Sequence, residues 1–441
     1  MRISVIGCGY LGAVHAASMA SLGHEVVGID VDPAKIARLA AGTAPFYEPG
    51  LPELLAEVSG TGRLTFSTDM ADAAGARIHF LCVGTPQKHG EFRADLSYVE
   101  SAFEDLRPHL APGDVVAGKS TVPVGTAEDL AARLAGTDAT LVWNPEFLRE
   151  GFAVKDTLHP DRLVYGLPTD DEGVPTAQGE AARALLDEVY ATPLGEGTPL
   201  VVTDYATAQL VKVAANSFLA TKISFINAMA ELCEATGADV TRLADAIGYD
   251  ARIGRRFLNA GLGFGGGCLP KDIRAFMARA GELGVDQALS FLREVDAINM
   301  RRRVRMVDLA REVSAGSIVG KRVAVLGAAF KPDSDDVRDS PALSVAAQMQ
   351  LQGAHVTVTD PQAVENARAK WPDLAYAATA LEAAQGADVI VLATEWDEYR
   401  ELDPDAVGAV VHHRAIVDGR NVLDPKAWRA AGWTYRALGR P

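Results

Sequence analysis

The strongest constraint on the fold is a glycine pattern near the start of the chain. Residues 2–6 (RISVI) form a short apolar run, and Gly7, Gly9 and Gly12 follow it with the spacing G-x-G-x-x-G. Between a strand and a helix, such glycines allow a tight turn, approach of the backbone to a pyrophosphate, and close packing of the helix on the strand. The sequence therefore predicts a strand, a glycine turn and a helix whose N-terminus faces an anion.

An acidic residue ends the next predicted strand, which covers residues 24–30 and closes at Asp30. A carboxylate there accepts a hydrogen bond from a ribose 2′-hydroxyl and repels a 2′-phosphate. We therefore predict a dinucleotide site that binds NAD rather than NADP. The alternative is a structural glycine turn, in which Asp30 caps the loop that begins at Asp32.

Further apolar runs at residues 78–83, 115–119, 141–143 and 162–165 alternate with helical segments. This alternation is typical of a parallel, doubly wound sheet. The first domain is predicted to cover residues 1–200.

A long helix follows, because residues 203–236 contain neither Gly nor Pro and are rich in Ala and Leu. At 1.5 Å per residue, it would be about 50 Å long and would join domains. Residues 201–315 are predicted to form this helix and a helical region. Residues 316–441 start a second pattern of strand, Gly327 and helix. The predicted fold is therefore α/β, with two Rossmann-like doubly wound domains joined by a long central helix.

The composition supports three domains and excludes some partners. The chain has 441 residues, and its 58 acidic against 42 basic side chains give a net charge of −16. Such a charge disfavours nucleic acid and anionic membranes. No apolar stretch is long enough to span a bilayer and the N-terminus lacks a signal-peptide core, so we expect a cytoplasmic protein.

The four cysteines lack a CxxC pair, so we expect free thiols and no metal site.

Cys268 differs from the other three cysteines in its surroundings. It follows three glycines and precedes Leu269, Pro270, Lys271 and Asp272, after which the pattern becomes helical. Pro270 suits the first helical position, which would place Cys268 at a helix N-terminus near Lys271. Both features favour a nucleophilic thiolate. A small buried hydrophobe is the alternative, and the loop alone does not decide between them.

Lys212 and Asn216 lie four residues apart on the predicted long helix, hence on one face, in the otherwise apolar or small segment 210–220. A lysine in such surroundings is unfavourable unless it is paired or functional. The alternative is a surface lysine whose ammonium reaches solvent, with an asparagine bonded to the backbone.

Ten segments together resemble the UDP-glucose/GDP-mannose dehydrogenase family, and they occur in the family's order. They are GCGYLG (7–12), FYEPGL (46–51), CVGTP (82–86), STVPVGT (120–126), NPEFLREG (144–151), HPDRLVYG (159–166), KVAANSFLA (212–220), GFGGGCLPKD (263–272), FKPDSDDVRDSP (330–341) and DGRNVLD (418–424).

The resemblance implies a four-electron oxidation of the C6 alcohol of a nucleotide-linked hexose, with two NAD and one water. The residue matching Cys268 attacks the aldehyde and becomes a thioester. Lys212 would stabilise oxyanions with help from Asn216. Asp272 would handle an ordered water during proton removal, together with Lys212 and Thr121. Glu146 resembles the carboxylate that activates water for thioester hydrolysis. Without the resemblance, Glu146, Glu150 and Thr121 would be polar loop residues.

The resemblance also implies two sets of ligand contacts. Expected NAD contacts, besides the three glycines, are Leu11, Asp30, Lys35, Thr85, Thr121, Glu150, Lys271 and Arg338. Expected nucleotide-sugar contacts are Phe147, Leu148, Arg149, Glu150, Lys212, Asn216, Phe257, Leu258, Asn259, Ala260, Gly261, Gly265, Lys331 and Arg420. Arg252 resembles an arginine that reaches the sugar site of a neighbouring subunit, which implies at least a homodimer, with the long helix as the dimer element. One departure is Gly267, where many members of the family have Ser; we expect it to tune the activity.

The segment 252–261 (RIGRRFLNAG) favours UDP-glucose as the substrate, and GDP-mannose or UDP-N-acetylmannosamine is the alternative. A two-electron dehydrogenase of the 6-phosphogluconate or β-hydroxyacid type would need neither Cys268 nor a third domain. A nucleotide-sugar binding protein without activity would be expected to have lost some of Cys268, Lys212, Asn216 and Asp272.

Overall fold

The computed structural model describes residues 1–441, which form two compact units. The first comprises Met1–Ala215 and Arg274–Leu283, and the second comprises Asn216–Ile273 and Gly284–Pro441. The three-domain division at residues 200 and 315 stays a prediction. No helix is both long enough and apolar enough to cross a membrane.

The first unit contains an eight-stranded sheet in the order β3-β2-β1-β4-β5-β6-β7-β8. Its strands are β1 (Arg2–Ile6), β2 (Glu25–Ile29), β3 (Leu64–Ser67), β4 (Ile78–Leu81), β5 (Val115–Gly118), β6 (Thr140–Trp143), β7 (Leu163–Leu167) and β8 (Leu200–Asp204). Neighbouring strands are parallel except β6 and β7, which pair antiparallel at Trp143 and Gly166. The predicted parallel, doubly wound sheet is therefore confirmed apart from this one junction.

Eight helices follow these strands. They are α1 (Tyr10–Ser21), α2 (Pro33–Ala40), α3 (Leu51–Ser59), α4 (Ser97–Leu106), α5 (Thr126–Arg133), α6 (Ala153–Leu158), α7 (Ala177–Val189) and α8 (Ala191–Gly195). Buried side chains form two clusters: one contains Val14 and Leu55, the other Phe103 and Leu130. The apolar strands therefore lie in the interior, and the loops that follow their carboxyl ends contain the polar residues.

The long helix is confirmed as α9 (Tyr205–Thr236), with 32 residues. It begins two residues later than predicted, because Thr203 and Asp204 pair with β7 as the end of β8. The β-branched run from Val201 to Thr203 favours a strand over a helix. Three further helices follow: α10 (Val240–Gly248), α11 (Leu269–Glu282) and α12 (Phe291–Val313).

The second unit contains a six-stranded parallel sheet in the order β11-β10-β9-β12-β13-β14. The strands are β9 (Arg322–Leu326), β10 (His355–Thr359), β11 (Ala375–Tyr376), β12 (Val389–Leu392), β13 (Ala415–Asp418) and β14 (Thr434–Ala437). The helices are α13 (Pro341–Leu351), α14 (Val364–Lys370), α15 (Ala380–Ala384), α16 (Asp397–Arg400), α17 (Pro404–Gly408) and α18 (Pro425–Ala430).

The second sheet repeats the 3-2-1-4-5-6 order of the first six strands, which is the Rossmann order. The acids after the second strands also correspond. Asp30 Oδ2 accepts the Cys8 N–H, and Asp360 Oδ2 accepts the Ala328 N–H. The predicted pair of Rossmann-like sheets is confirmed.

Candidate active site

The glycine turn leaves the N-terminus of α1 open to an anion. Gly7 follows β1 with φ +89°, a conformation that a side chain would strain. A Cβ on Gly12 would lie 1.8 Å from the Gly7 carbonyl oxygen, so no side chain fits there. Gly9 caps α1 without a side-chain hydrogen bond, and a Cβ there would meet no atom within 4 Å. The turn and the helix N-terminus therefore suit a pyrophosphate.

Asp30 lies at the carboxyl end of β2 and is only 8% exposed. Its Oδ2 accepts hydrogen bonds from the Cys8 N–H and from Lys35 Nζ, both at 2.8 Å. Asp30 and Lys35, both expected to contact NAD, therefore lie together. Burial raises the pKa of the Cys8 thiol and raises that of Cys82 to about 12, which fits two neutral core thiols.

Two other expected NAD contacts meet beyond the ends of β4 and β5. The Thr85 hydroxyl donates to the Thr121 carbonyl oxygen at 2.8 Å. Ligands of open α/β sheets bind outside the carboxyl ends of the strands. The two threonines therefore lie on the side of the sheet where a dinucleotide is expected.

Glu146 has both carboxylate oxygens engaged. Oε1 accepts the N–H groups of Phe147 and Leu148 at 2.7 and 3.0 Å, and Oε2 lies 3.2 Å from Lys119 Nζ. Burial alone would lower the pKa of Lys119, but the charge of Glu146, together with Tyr190 and Cys82, outweighs the burial and raises the pKa above its usual value. Sequence reasoning missed Lys119 as a site residue; the available signal was a lysine directly after the fully buried strand β5.

Lys212 is half-buried, and its Nζ lies 5.3 Å from the centroid of the Phe147 ring. The Arg162 guanidinium lies 3.8 Å from the same centroid. Two cations therefore contact one aromatic ring that is expected to bind the sugar nucleotide. The Lys212 ammonium therefore lies beside this ring in a half-buried position.

Cys268 is exposed and directly precedes α11. Its carbonyl oxygen accepts the Asp272 N–H at 2.9 Å, as in a first helical turn. Pro270 is the second residue of the helix rather than the first as predicted, a position in the first turn that also needs no N–H donor. Cys268 thus lies at a helix N-terminus, as expected.

Asp272 is only 2% exposed and has two side-chain partners. Asn216 Nδ2 donates to its Oδ2 at 2.7 Å, and Lys271 Nζ lies 2.5 Å from its Oδ1. The structure therefore brings Asn216, Lys271 and Asp272 together in the turn that follows Cys268.

The loop at residues 257–261 contains a non-glycine residue with left-handed backbone, Phe257, with φ +65°. Arg255 Nη1 donates to the Leu258 carbonyl oxygen and to Asn259 Oδ1, and Asn227 Oδ1 accepts the Gly261 N–H. Strained residues of this kind cluster at ligand-binding segments.

Gly267, where the sequence departs from the family pattern, lies against Arg338. A Cβ on Gly267 would lie 2.3 Å from the guanidinium carbon. Arg338 also pairs with Asp336 at 2.7 Å. A serine at position 267 would therefore require Arg338 to move, which links the two positions.

Three other basic residues expected in the site, Lys331, Arg420 and Arg252, each have a different kind of partner. Lys331 Nζ lies 5.5 Å from the Phe330 ring centroid. Arg420 donates to the carbonyl oxygens of Ala393 and Gly263 and so holds loops together. Arg252 is 89% exposed and pairs with Asp250.

The expected residues divide between the two units. The first unit contains Gly7, Gly9, Leu11, Gly12, Asp30, Lys35, Thr85, Thr121, Glu146, Phe147, Leu148, Arg149, Glu150 and Lys212. The second contains Asn216, Arg252, Phe257, Leu258, Asn259, Ala260, Gly261, Gly265, Cys268, Lys271, Asp272, Lys331, Arg338 and Arg420.

Comparison with known families gives three matches along the chain. Residues 1–192 match the NAD binding domain of the UDP-glucose/GDP-mannose dehydrogenase family. Residues 206–301 match the central domain of that family. Residues 324–425 match its UDP binding domain.

The chain is 42% identical to a UDP-glucose 6-dehydrogenase of Rhizobium meliloti over 100% of both chains. A UDP-glucose dehydrogenase structure from Pyrobaculum islandicum matches with TM-score 0.89 and 39% identity, covering 100% of this chain and 98% of the other. A UDP-D-ManNAc dehydrogenase structure from Pyrococcus horikoshii matches with TM-score 0.85 and 28% identity, covering 100% and 99%.

Proposed function

Because the chain belongs to the UDP-glucose/GDP-mannose dehydrogenase family, we propose that it oxidises the C6 alcohol of UDP-glucose to a carboxylate, with NAD as the acceptor. In this proposal residues 1–200 bind NAD, 201–315 form the central and dimerisation region, and 316–441 bind the uridine diphosphate. The observation that carries the proposal is Cys268 at the start of α11, one turn from the Asn216–Asp272 hydrogen bond.

NAD, when bound, accepts a hydride from C6 in each of two oxidations. The turn at Gly7–Gly12 holds the pyrophosphate, and Asp30 orients the ribose and disfavours NADP. Asp272 acts through an ordered water in removing the proton of the C6 hydroxyl, together with Lys212 and Thr121. Lys212 stabilises negative charge on the C6 oxygen, and Asn216 assists by orienting Asp272.

The second oxidation proceeds on Cys268. Its Sγ forms a bond to C6 of the aldehyde and gives a thiohemiacetal, which loses a hydride and a proton to become a thioester. Water then attacks the thioester carbon, Glu146 accepts the proton of that water, and the C–S bond breaks to release the carboxylic acid. In total, one alcohol, one water and two NAD give one carboxylate, two NADH and three protons.

The expected homodimer is supported by an exposed apolar stripe on α9. Phe218, Phe225 and Leu232 are 67%, 49% and 58% exposed and recur every seven residues, hence on one face. A large exposed apolar surface on one helix favours a partner. Arg252 is exposed and paired with Asp250 of its own chain, and it would contact a neighbouring subunit's sugar site only in such an assembly. A cytoplasmic location stays a prediction.

An assay of NADH release with UDP-glucose, GDP-mannose and UDP-N-acetylmannosamine tests the substrate. We expect turnover with UDP-glucose and a kcat/KM at least about 100-fold lower with the other two, since a missing or added polar contact in a substrate site has effects of this size. Preference for UDP-N-acetylmannosamine, the substrate class named for the 28% identical structure, would establish the alternative.

A further inference from the structure

Lys119 is a buried lysine, 3% exposed, for which the reaction described above has no role. We propose that Lys119 is a positioning residue for thioester hydrolysis, because it holds the Glu146 carboxylate in the orientation that receives the proton of the attacking water. The proposal rests on the proposed function and concerns its last step alone.

All three donors of the Lys119 ammonium have partners. Nζ lies 3.2 Å from Glu146 Oε2, 3.0 Å from Asn144 Oδ1 and 3.2 Å from the Tyr190 hydroxyl. Asn144 in turn donates to the Val164 carbonyl oxygen of β7. An ammonium has three donors, so Lys119 is fully satisfied and fixed by the sheet.

Sheet register brings the two charges together. Gly118 pairs with Trp143, so Lys119 and Asn144 leave β5 and β6 side by side, and Glu146 follows two residues later. A buried carboxylate or ammonium alone is strongly unfavourable, whereas the pair with its hydrogen bonds is tolerated. Each charge therefore keeps the other in place.

The engaged contacts leave room for one water. Glu146 uses two acceptor sites for backbone N–H groups and one for Lys119, and a carboxylate offers about four. A cavity of about 20 Å³ lies beside Lys119, Glu146 and His15, and about one water fits such a volume. The remaining acceptor site of Glu146 is the one that takes the proton of water, while Lys119 keeps its own protons.

The test compares Lys119→Met, Glu146→Gln and the double variant, with the exposed Lys155→Met as control. Stopped-flow NADH release gives the first turnover, and mass spectrometry of quenched enzyme detects the acyl group on Cys268. We expect Lys119→Met to keep the first-turnover release of two NADH per site, to lower steady-state turnover about 10- to 100-fold, and to accumulate the acyl-enzyme. Lys155→Met should behave like the wild type.

The double variant separates positioning from an independent effect. If Lys119 acts through Glu146, the double variant turns over no more slowly than Glu146→Gln alone. If the losses of turnover in the two single variants multiply in the double variant, the inference is overturned. The same holds if Lys119→Met slows the two hydride transfers and no acyl-enzyme accumulates. Lys119→Gln keeps a hydrogen-bond donor for Asn144 and Tyr190, and it replaces Lys119→Met in the test if that variant does not fold. It must accumulate the acyl-enzyme in the same way. A wild type that releases no NADH from UDP-glucose would overturn the proposed function itself, which distinguishes the two failures.

Discussion

Asn216 on the long helix donates a 2.7 Å hydrogen bond to the carboxylate of Asp272, in the first turn of α11. Asp272 is buried and also pairs with Lys271. Because the same turn begins directly after Cys268, the bond ties the orientation of the proposed nucleophile's helix to α9.

Replacing Asn216 by Ala should therefore weaken both stability and catalysis. Asp272 would lose a donor in a buried place, which costs about 1–3 kcal/mol of unfolding free energy. We expect turnover to fall at least about tenfold while NAD binding is unchanged, as measured by urea denaturation, steady-state kinetics and NAD titration. The exposed Asn366→Ala is the control, and unchanged stability and turnover in Asn216→Ala would contradict this role.

Replacing Asp30 by Ser should relax the cofactor preference. The change removes the carboxylate that is expected to accept a hydrogen bond from the NAD ribose, and hydrogen bonds to charged groups contribute about 1.5–3 kcal/mol. We expect the KM for NAD to rise roughly 10- to 100-fold and the NADP to NAD ratio of kcat/KM to increase. Asp32→Asn, at the acid that caps α2, should leave the ratio unchanged. An unchanged ratio in Asp30→Ser would mean that another group discriminates.

Introducing a charge into the apolar stripe of α9 should separate the subunits. Phe225→Glu would place a carboxylate in the proposed interface, where an unpaired buried charge is strongly unfavourable. We expect light scattering after size exclusion to give a dimer for the wild type and a monomer for the variant. Val319→Glu, at an apolar side chain exposed elsewhere, should remain dimeric. A wild type that is monomeric and fully active would refute the proposed assembly.

His15 should make the protein less stable in acid. Burial, the charge of Lys119 and the nearby His24 lower the pKa of His15 well below 6.5. The folded protein therefore keeps His15 neutral, whereas the unfolded chain binds a proton below about pH 6.5. The unfolding free energy should thus fall with decreasing pH, by up to about 1.4 kcal/mol per pH unit from this group.

Urea denaturation of the wild type and His15→Leu between pH 7.5 and 5 measures this contribution. The variant should lose less stability than the wild type as the pH falls, and the exposed His89→Gln should follow the wild type. Parallel curves for His15→Leu and the wild type would contradict the assignment.

Short sequence patterns were enough to predict the turns, strand ends and helix starts that carry much of the candidate site. The Gly7 turn, Asp30 at a strand end, the helix without Gly or Pro and Cys268 at a helix start all follow from short-range patterns. The second α/β sheet follows from the same alternation of strand and helix. The substrate residues came from resemblance to a family, because isolated loop acids such as Glu146 carry no pattern of their own.

The rest depends on contacts between distant segments. The antiparallel junction of β6 and β7 pairs Trp143 with Gly166, residues too far apart in the chain for a short pattern to encode their pairing. The helix α9 begins later than predicted because Thr203 pairs with β7 as part of a strand. Lys119 and Glu146 meet only because Gly118 and Trp143 are in register, so their pairing required the sheet order.

The most direct test of the central claim is the number of NADH molecules released per UDP-glucose consumed, in the wild type and in Cys268→Ser. We expect two in the wild type, with UDP-glucuronate as the product. We expect Cys268→Ser to bind NAD normally but to form the acid at least about 10³-fold more slowly, as when a covalent nucleophile is removed. One NADH per UDP-glucose in the wild type, or two at full rate in Cys268→Ser, would refute the proposed role of Cys268.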